Sequence, residues 1–400
     1  MTIQRYDVVI VGAGPAGSSA ALAAAQAGAQ VLVVERRREI GLPVQCAEYV
    51  PRQLQSHVPW SSDWVAQEIS VMRTHLPDGE VVERPAAGYV IHRALFDQGL
   101  AAAARRAGAE VMLATQALEP TADGMVVRQG RKTFQVGAKV IVGADGPRST
   151  VAGWMGQANR KMLVAAQCQV HLERPVEATQ VYFDPLYVGG YGWLFPKGRA
   201  ANVGVGVRGN SGPSPKEALA HLLDSLEIRP SAVMGYSGGL IPCAGPPAHT
   251  WQGKVILVGD AAGQTHPITG AGVAHACLCG QMAGRAAAHA ALLNDPSLLS
   301  EYEQEWRDYL GGVLAHALAK RRFLEEGWSR DPVILSALLH PTWVAFPAYG
   351  ARTSADASRF TFHASRKGGK PWKALNTSRP AWRQLSRSAS CRGASAATPG

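Results

Sequence analysis

The sequence is short of several features that would narrow its function at once. Its six cysteines include no C-x-x-C pair, so neither a zinc site nor a disulfide framework is indicated, and no metal is expected. No run approaches the ~18 to 20 apolar residues that a membrane span needs. The opening residues, MTIQRYD, lead into a strand without the apolar core and cleavage site of a signal peptide, so a cytoplasmic location is expected. Acid is scarce at one end only. Residues 351–400 hold ten Lys and Arg against one acid, which leaves 30 against 29 in residues 1–350 of a chain whose formal charge is +10. The body of the chain is thus nearly neutral, and no nucleic-acid partner is expected. The tail is rich in Ser, Arg and Ala without apolar periodicity and reads as disordered. Its abrupt onset after Tyr349 is what a change of reading frame would leave.

What is present begins with YDVVIVGAGPAGSSAALAAAQAGAQVLVVE, residues 6–35. An apolar strand, a glycine turn, an alanine-rich helix stopped by Gly28 and a second apolar strand make one βαβ unit. Gly12, Gly14 and Gly17 supply the tight turn, the close approach to a pyrophosphate and the close helix–strand packing. Pro15 and Ala16 open a helix whose free N–H groups face the phosphates. Glu35 closes the second strand, where a carboxylate accepts from a ribose 2′-hydroxyl, and Arg36 follows it. A tight turn before a packed helix would account for the glycines but gives no reason for Glu35. FAD or NAD is expected rather than NADP.

Two later segments choose between them. KVIVGADGPRSTVAGWMG, residues 139–156, is an apolar strand followed by a turn with Asp145 and a new helix. GKVILVGDAAGQTHPITGAGVAHA, residues 253–276, repeats the plan with Gly259 and Asp260, then Pro267, Gly270, Gly272 and Val273 at the start of another helix. Asp260 at a strand end can hold ribityl hydroxyls, and the helix start can bring N–H groups and a positive dipole to a flavin pyrimidine ring. NAD has no use for that third piece, so the cofactor expected is FAD.

The set V-G-A-G-P-A-G, G-A-D-G-x-R-S and V-G-D-A-A-G resembles the FAD-dependent oxidoreductases of the p-hydroxybenzoate hydroxylase fold. Within that group, PVQCAE (43–48), YGWLFPKG (191–198), NVGVGV (202–207), GGLIP (238–242) and PITGAGV (267–273) resemble the geranylgeranyl reductase family over residues 5–290 or so. The resemblance implies a Rossmann-type FAD domain, α/β, interleaved with an α+β antiparallel-sheet substrate domain and followed by a helical part. The expected division gives 1–75, 85–155 and 250–290 to FAD, 157–248 to substrate and 291–350 to a helical cover. Tyr191, Trp193 and Phe195 would line an apolar pocket beside the flavin, and the small residues after them would let a chain pass. These aromatics could equally be the core face of a strand. Arg93, in its R-x-x-F-D context, would contact FAD. Cys46 would lie near the flavin ring and give a proton, or equally be a small buried hydrophobe, with Glu48 as its partner or a cap. His266 is a second acid–base candidate.

These features favour an FAD-dependent reductase of C=C bonds in a prenyl or similar apolar substrate. A flavin monooxygenase hydroxylating an aromatic substrate, a small molecule or a peptide-bound tryptophan, and an inactive flavin-binding protein are the alternatives. The sequence has one dinucleotide fingerprint, so NAD(P)H would visit transiently or a ferredoxin-like donor would replace it. A lipid substrate would call for peripheral contact with a membrane.

Overall fold

Two eight-stranded sheets organise the computed structural model, which describes residues 3–159, 161–209 and 212–350. The basic tail from 351 onward lies outside the described residues. The first sheet is centred on Gln4–Val11, an apolar strand buried over most of its length, as expected of a strand covered on both faces. Val31–Val34 and Glu110–Met112 lie in parallel on one side of it, Lys132–Gly143 and Val255–Leu257 on the other. Thr115–Thr121 and Gly124–Gln129 extend Lys132–Gly143 as an antiparallel meander.

The register brings four turns to one edge. Val11 lies opposite Val34 and Gly143, and Gly143 lies opposite Leu257, so the turns after these strands all open at their carboxyl ends. Ligands bind at that edge in open parallel sheets, where successive connections diverge. Over the sheet, helix Pro15–Gln26 packs against the long helix Val273–Leu293 through small residues. A Cβ on Gly280 or Gly284 would run into the carbonyl oxygen of Ala16 or Ala20, so nothing larger than glycine permits this approach.

The second sheet runs in the order Val233–Pro242, Met162–His171, Ala200–Arg208, Tyr191–Lys197, Thr179–Tyr182, Val65–His75, Val81–Ile91, Tyr49–Pro51. One pair, Thr179–Tyr182 with Val65–His75, is parallel; the others are antiparallel. Residues 49–91 therefore belong to this sheet, whereas the sequence division gave 1–75 and 85–155 to FAD. Pairing of Val65–His75 with Thr179–Tyr182, over a hundred positions away, places them there. One face carries helix Pro215–Ser225, with Leu219 and Leu222 packed on Val203 and Val205. Against the other lies the C-terminal part, where Ala317, Leu324, Leu335, Trp343 and Phe346 form one cluster with Phe183 and Ile268. Among the described residues no helix is long and apolar enough to cross a membrane.

Candidate active site

The nucleotide end is built by omission. Gly12 has φ +101, and a Cβ there would collide with the Ala144 carbonyl; a Cβ on Gly17 would collide with the Gly12 carbonyl. The helix that follows Gly14 has Pro15 in its first turn, no acidic residue there and no side-chain cap, so its amino end presents bare N–H groups. Glu35 is buried and spans the turn, accepting from Ala13 N at 2.8 Å and Arg37 N at 2.8 Å. Arg36 is exposed beside it. This cradle, which any added side chain would fill, fits the pyrophosphate and adenosine ribose of FAD.

The other motifs close the same edge. Asp260 accepts from Thr265 Oγ1 at 2.7 Å, and burial pushes its carboxyl above the usual carboxylate range. Asn159 Nδ2 donates to the carbonyls of Pro147 and Asp260, both at 2.9 Å, and so ties two of the turns together. Asp145 uses both oxygens on its own turn, accepting from Ser149 Oγ, Thr150 N and Val151 N. Its carboxylate therefore organises the turn before helix Thr150–Trp154. Gly270, at φ +67, and Gly272 begin the long helix at Val273, which also lacks a side-chain cap and an acid in its first turn. Pro267 is buried in the loop before it. Gly272 stands against Asp260, where a Cβ would be 3.2 Å from Oδ1.

Cys46 lies where the two sheets meet. The Gln167 amide donates to the Cys46 carbonyl at 3.2 Å, and Trp193 Nε1 donates to Gln167 Oε1 at 3.0 Å. The Glu48 N–H reaches the Cys46 sulfur at 3.2 Å. Arg93 Nε donates to Asp97 at 2.7 Å. Burial works against the Arg93 charge, but the Asp97 carboxylate beside it holds its pKa above the ordinary arginine value. Arg93 N also donates to the Glu48 carboxylate, which sets the start of its helix beside the Cys46 loop.

Glu48 proves to be the centre of this region. It is 3% exposed and has φ 73, a left-handed conformation that is rare outside glycine. Its carboxylate accepts from Arg93 N at 2.8 Å, Lys197 Nζ at 2.6 Å and Asn202 Nδ2 at 2.7 Å. Lys197 is itself only 8% exposed. Lys197 and Asn202 were not picked out from the sequence as site residues. The available signal was a lysine closing an aromatic strand and an asparagine inside a run of small apolar residues.

Tyr191, Trp193 and Phe195 do share one face of their strand. Trp193 is buried, and its indole lies over Gly204, where a Cβ would collide with it. Gly204 of NVGVGV therefore makes room for Trp193. Phe195 and Tyr191 are half-buried. Tyr191 donates to the Thr269 carbonyl at 2.5 Å, which fastens the aromatic strand to the loop before the long helix. His266, in that loop, accepts at Nδ1 from Thr269 N at 3.2 Å and meets Tyr349 at Nε2. Burial brings its pKa down to about 4, so the imidazole is neutral near pH 7. Cys277 and Cys279 are buried in separate core clusters.

Comparisons with known proteins agree with this geometry. A model of FAD dependent oxidoreductases matches residues 7–147, and one of the geranylgeranyl reductase catalytic domain matches residues 163–236. A digeranylgeranylglycerophospholipid reductase of Methanopyrus kandleri is 37% identical over 346 residues, covering 80% of this chain and 87% of the relative. One from Methanocaldococcus jannaschii is 36% identical, with 80% and 87% covered. The crystal structure of a geranylgeranyl bacteriochlorophyll reductase-like protein from Thermoplasma acidophilum superposes with a TM-score of 0.74 at 25% identity, covering 86% of this chain and 97% of that one. A flavin-dependent brominase, with a TM-score of 0.64 at 19% identity, shares the fold.

Proposed function

The chain belongs to the geranylgeranyl reductase family of FAD-dependent oxidoreductases, and on that premise we propose that it reduces C=C bonds in the prenyl chains of a glycerophospholipid. The observation that carries the mechanistic part is the setting of Cys46, whose sulfur meets the N–H of the buried Glu48 while the Glu48 carboxylate gathers Arg93 N, Lys197 and Asn202. Bound FAD, once reduced, supplies the hydride. Gly12, Gly14 and Gly17 with the amino end of helix Pro15–Gln26 would hold its pyrophosphate, Glu35 the adenosine ribose and Asp260 the ribityl chain. Gly270, Gly272 and Val273 would face the flavin ring.

The protein's own part is to bind, exclude water and hold a proton. Tyr191 and Phe195 offer apolar surface to the prenyl chain, and Trp193 backs them. Cys46 Sγ–H gives its proton to the alkene carbon that does not receive hydride and is reprotonated from solvent. Glu48 fixes the loop that carries the sulfur. His266 is the weaker acid candidate, because its neutral ring is engaged by Thr269 and Tyr349. The electrons come from NAD(P)H or a ferredoxin-like donor, and a lipid substrate is met at a membrane surface.

The test is to reduce the FAD-loaded protein anaerobically and mix it with a geranylgeranyl glycerophospholipid. Oxidation of the flavin with gain of hydrogen by the lipid is expected, and Cys46→Ser should slow that step about 100-fold. If the lipid leaves the reduced flavin unchanged while oxygen and an aromatic substrate consume it and yield a hydroxylated product, the monooxygenase reading takes over.

A further inference from the structure

Where the aromatic strand begins, three cations surround one acid. Glu325, at the end of helix Gly312–Glu326, pairs with Arg321 Nε at 2.6 Å and Arg208 Nη2 at 2.9 Å, with Lys161 Nζ at 3.9 Å. Side-chain exposure rises from 2% at Arg321 through 37% at Arg208 to 69% at Lys161, so the cluster leads from the interior to solvent. Arg321 is the anomaly. Its Nη2 is buried without a hydrogen-bond partner among the described residues. It points at the turn before Tyr191, where a Cβ on Gly189, at φ +69, would stand 3.3 Å from Nη2 and 3.9 Å from Arg208 Nε.

A buried donor without a partner is unfavourable, and a charged one more so, unless something completes it. One carboxylate does not balance three cations. An anion with several oxygens would complete the cluster, matched by the planar forks of two arginines and attracted by the exposed lysine at the mouth. The site adjoins the aromatic strand, because Gly189, where a Cβ would stand 3.3 Å from Arg321 Nη2, lies two residues before Tyr191. From there Tyr191–Lys197 runs about 20 Å, at ~3.3 Å per residue, to the Lys197–Glu48 pair beside the Cys46 loop.

We propose that Arg321, Arg208 and Lys161 bind a phosphate group, supplied in the working enzyme by the polar end of the prenyl lipid. That last clause rests on the prenyl-lipid reading above. A lipid anchored there by its phosphate lays its chain along Tyr191 and Phe195 toward Cys46. The head group thereby sets how far the chain reaches and which double bond lies at the thiol.

The test titrates oxidised, FAD-loaded full-length protein calorimetrically with geranylgeranyl phosphate, geranylgeraniol and inorganic phosphate, then repeats it with Arg208→Gln and Arg321→Gln. Geranylgeranyl phosphate should bind at least 10-fold more tightly than the alcohol, and each substitution should erase that difference while leaving the affinity for the alcohol unchanged. Should Arg321→Gln fail to fold, Arg208→Gln, at the accessible rim, carries the test alone. Equal affinities for phosphate and alcohol in the unaltered protein, or variants that keep the difference, overturn the proposal. Inorganic phosphate binding as tightly as the prenyl phosphate assigns the site to free phosphate and overturns the head-group clause. Because the readout is binding, it stands whether or not the lipid is reduced. Loss of reduction with intact phosphate discrimination would sink the reductase reading and leave this one in place.

Discussion

The protein builds its nucleotide end and the region around Cys46 by opposite means. At the nucleotide end it leaves side chains out: Gly12 and Gly17 let backbone touch backbone, and the recognition surface is a row of N–H groups. Around Cys46 it fills the interior with polar side chains: a carboxylate, an ammonium, an amide and a guanidinium converge where the two sheets meet. The first arrangement fails when anything is added. The second fails when anything is removed, because each buried charge depends on its partner. A site built from backbone suits an invariant group such as a pyrophosphate, whereas one built from side chains fixes the course of a loop, here the one that carries Cys46.

Adding bulk at the first region should have the largest effect. Gly17→Val drives two methyl groups into the Gly12 carbonyl, so the protein should emerge from gel filtration without FAD absorbance; a yellow, stoichiometrically loaded variant would refute the cradle. Removing a partner at the second should come next. Glu48→Ala leaves Lys197 buried and unpaired and should cost about 3 to 5 kcal/mol in denaturant unfolding. The double variant Glu48→Gln, Lys197→Met should be milder than Glu48→Ala, and if it is worse the pair is not the unit described.

The third test concerns protons. His266 has a folded pKa of about 4, below the ordinary histidine value of about 6.5. The unfolded chain therefore binds more protons between these values, and stability falls as the pH drops through that window, by at most about 3 kcal/mol. His266→Gln should flatten the melting-temperature profile between pH 6.5 and 4, and an unchanged slope would show that His266 is not its source. The smallest effect is expected at Tyr191→Phe. Loss of one hydrogen bond to Thr269 should cost about 1 kcal/mol and be seen as faster FAD release, with overall folding kept.

The same contrast explains what could be read from the residues. Gly12, Gly14, Gly17 and Glu35 lie within one βαβ unit, and their spacing alone places them on a turn and at a strand end. Asp260 was legible for the same reason. Glu48 meets Lys197 and Asn202 across separations of 149 and 154 residues, and no local pattern encodes such a meeting. Arg93 and Cys46 were each noticed, but only the fold joins them through Glu48, whose carboxylate accepts from Arg93 N and whose N–H reaches the sulfur. Trp193 was read as a pocket wall or a core face, and only the strand pairing shows that Gly204 lies under its indole.

The backbone at Glu48 bears on how this enzyme could be improved. An engineer seeking stability would scan for non-glycine residues in the left-handed region, which cost about 1 to 3 kcal/mol each, and replace them with glycine or asparagine, which adopt it readily. Residue 48 would head that list at φ 73. Following the rule there would relax one dihedral pair while releasing the lysine, the asparagine and the loop that aims Cys46, so the discomfort of that single residue is what keeps the thiol in position.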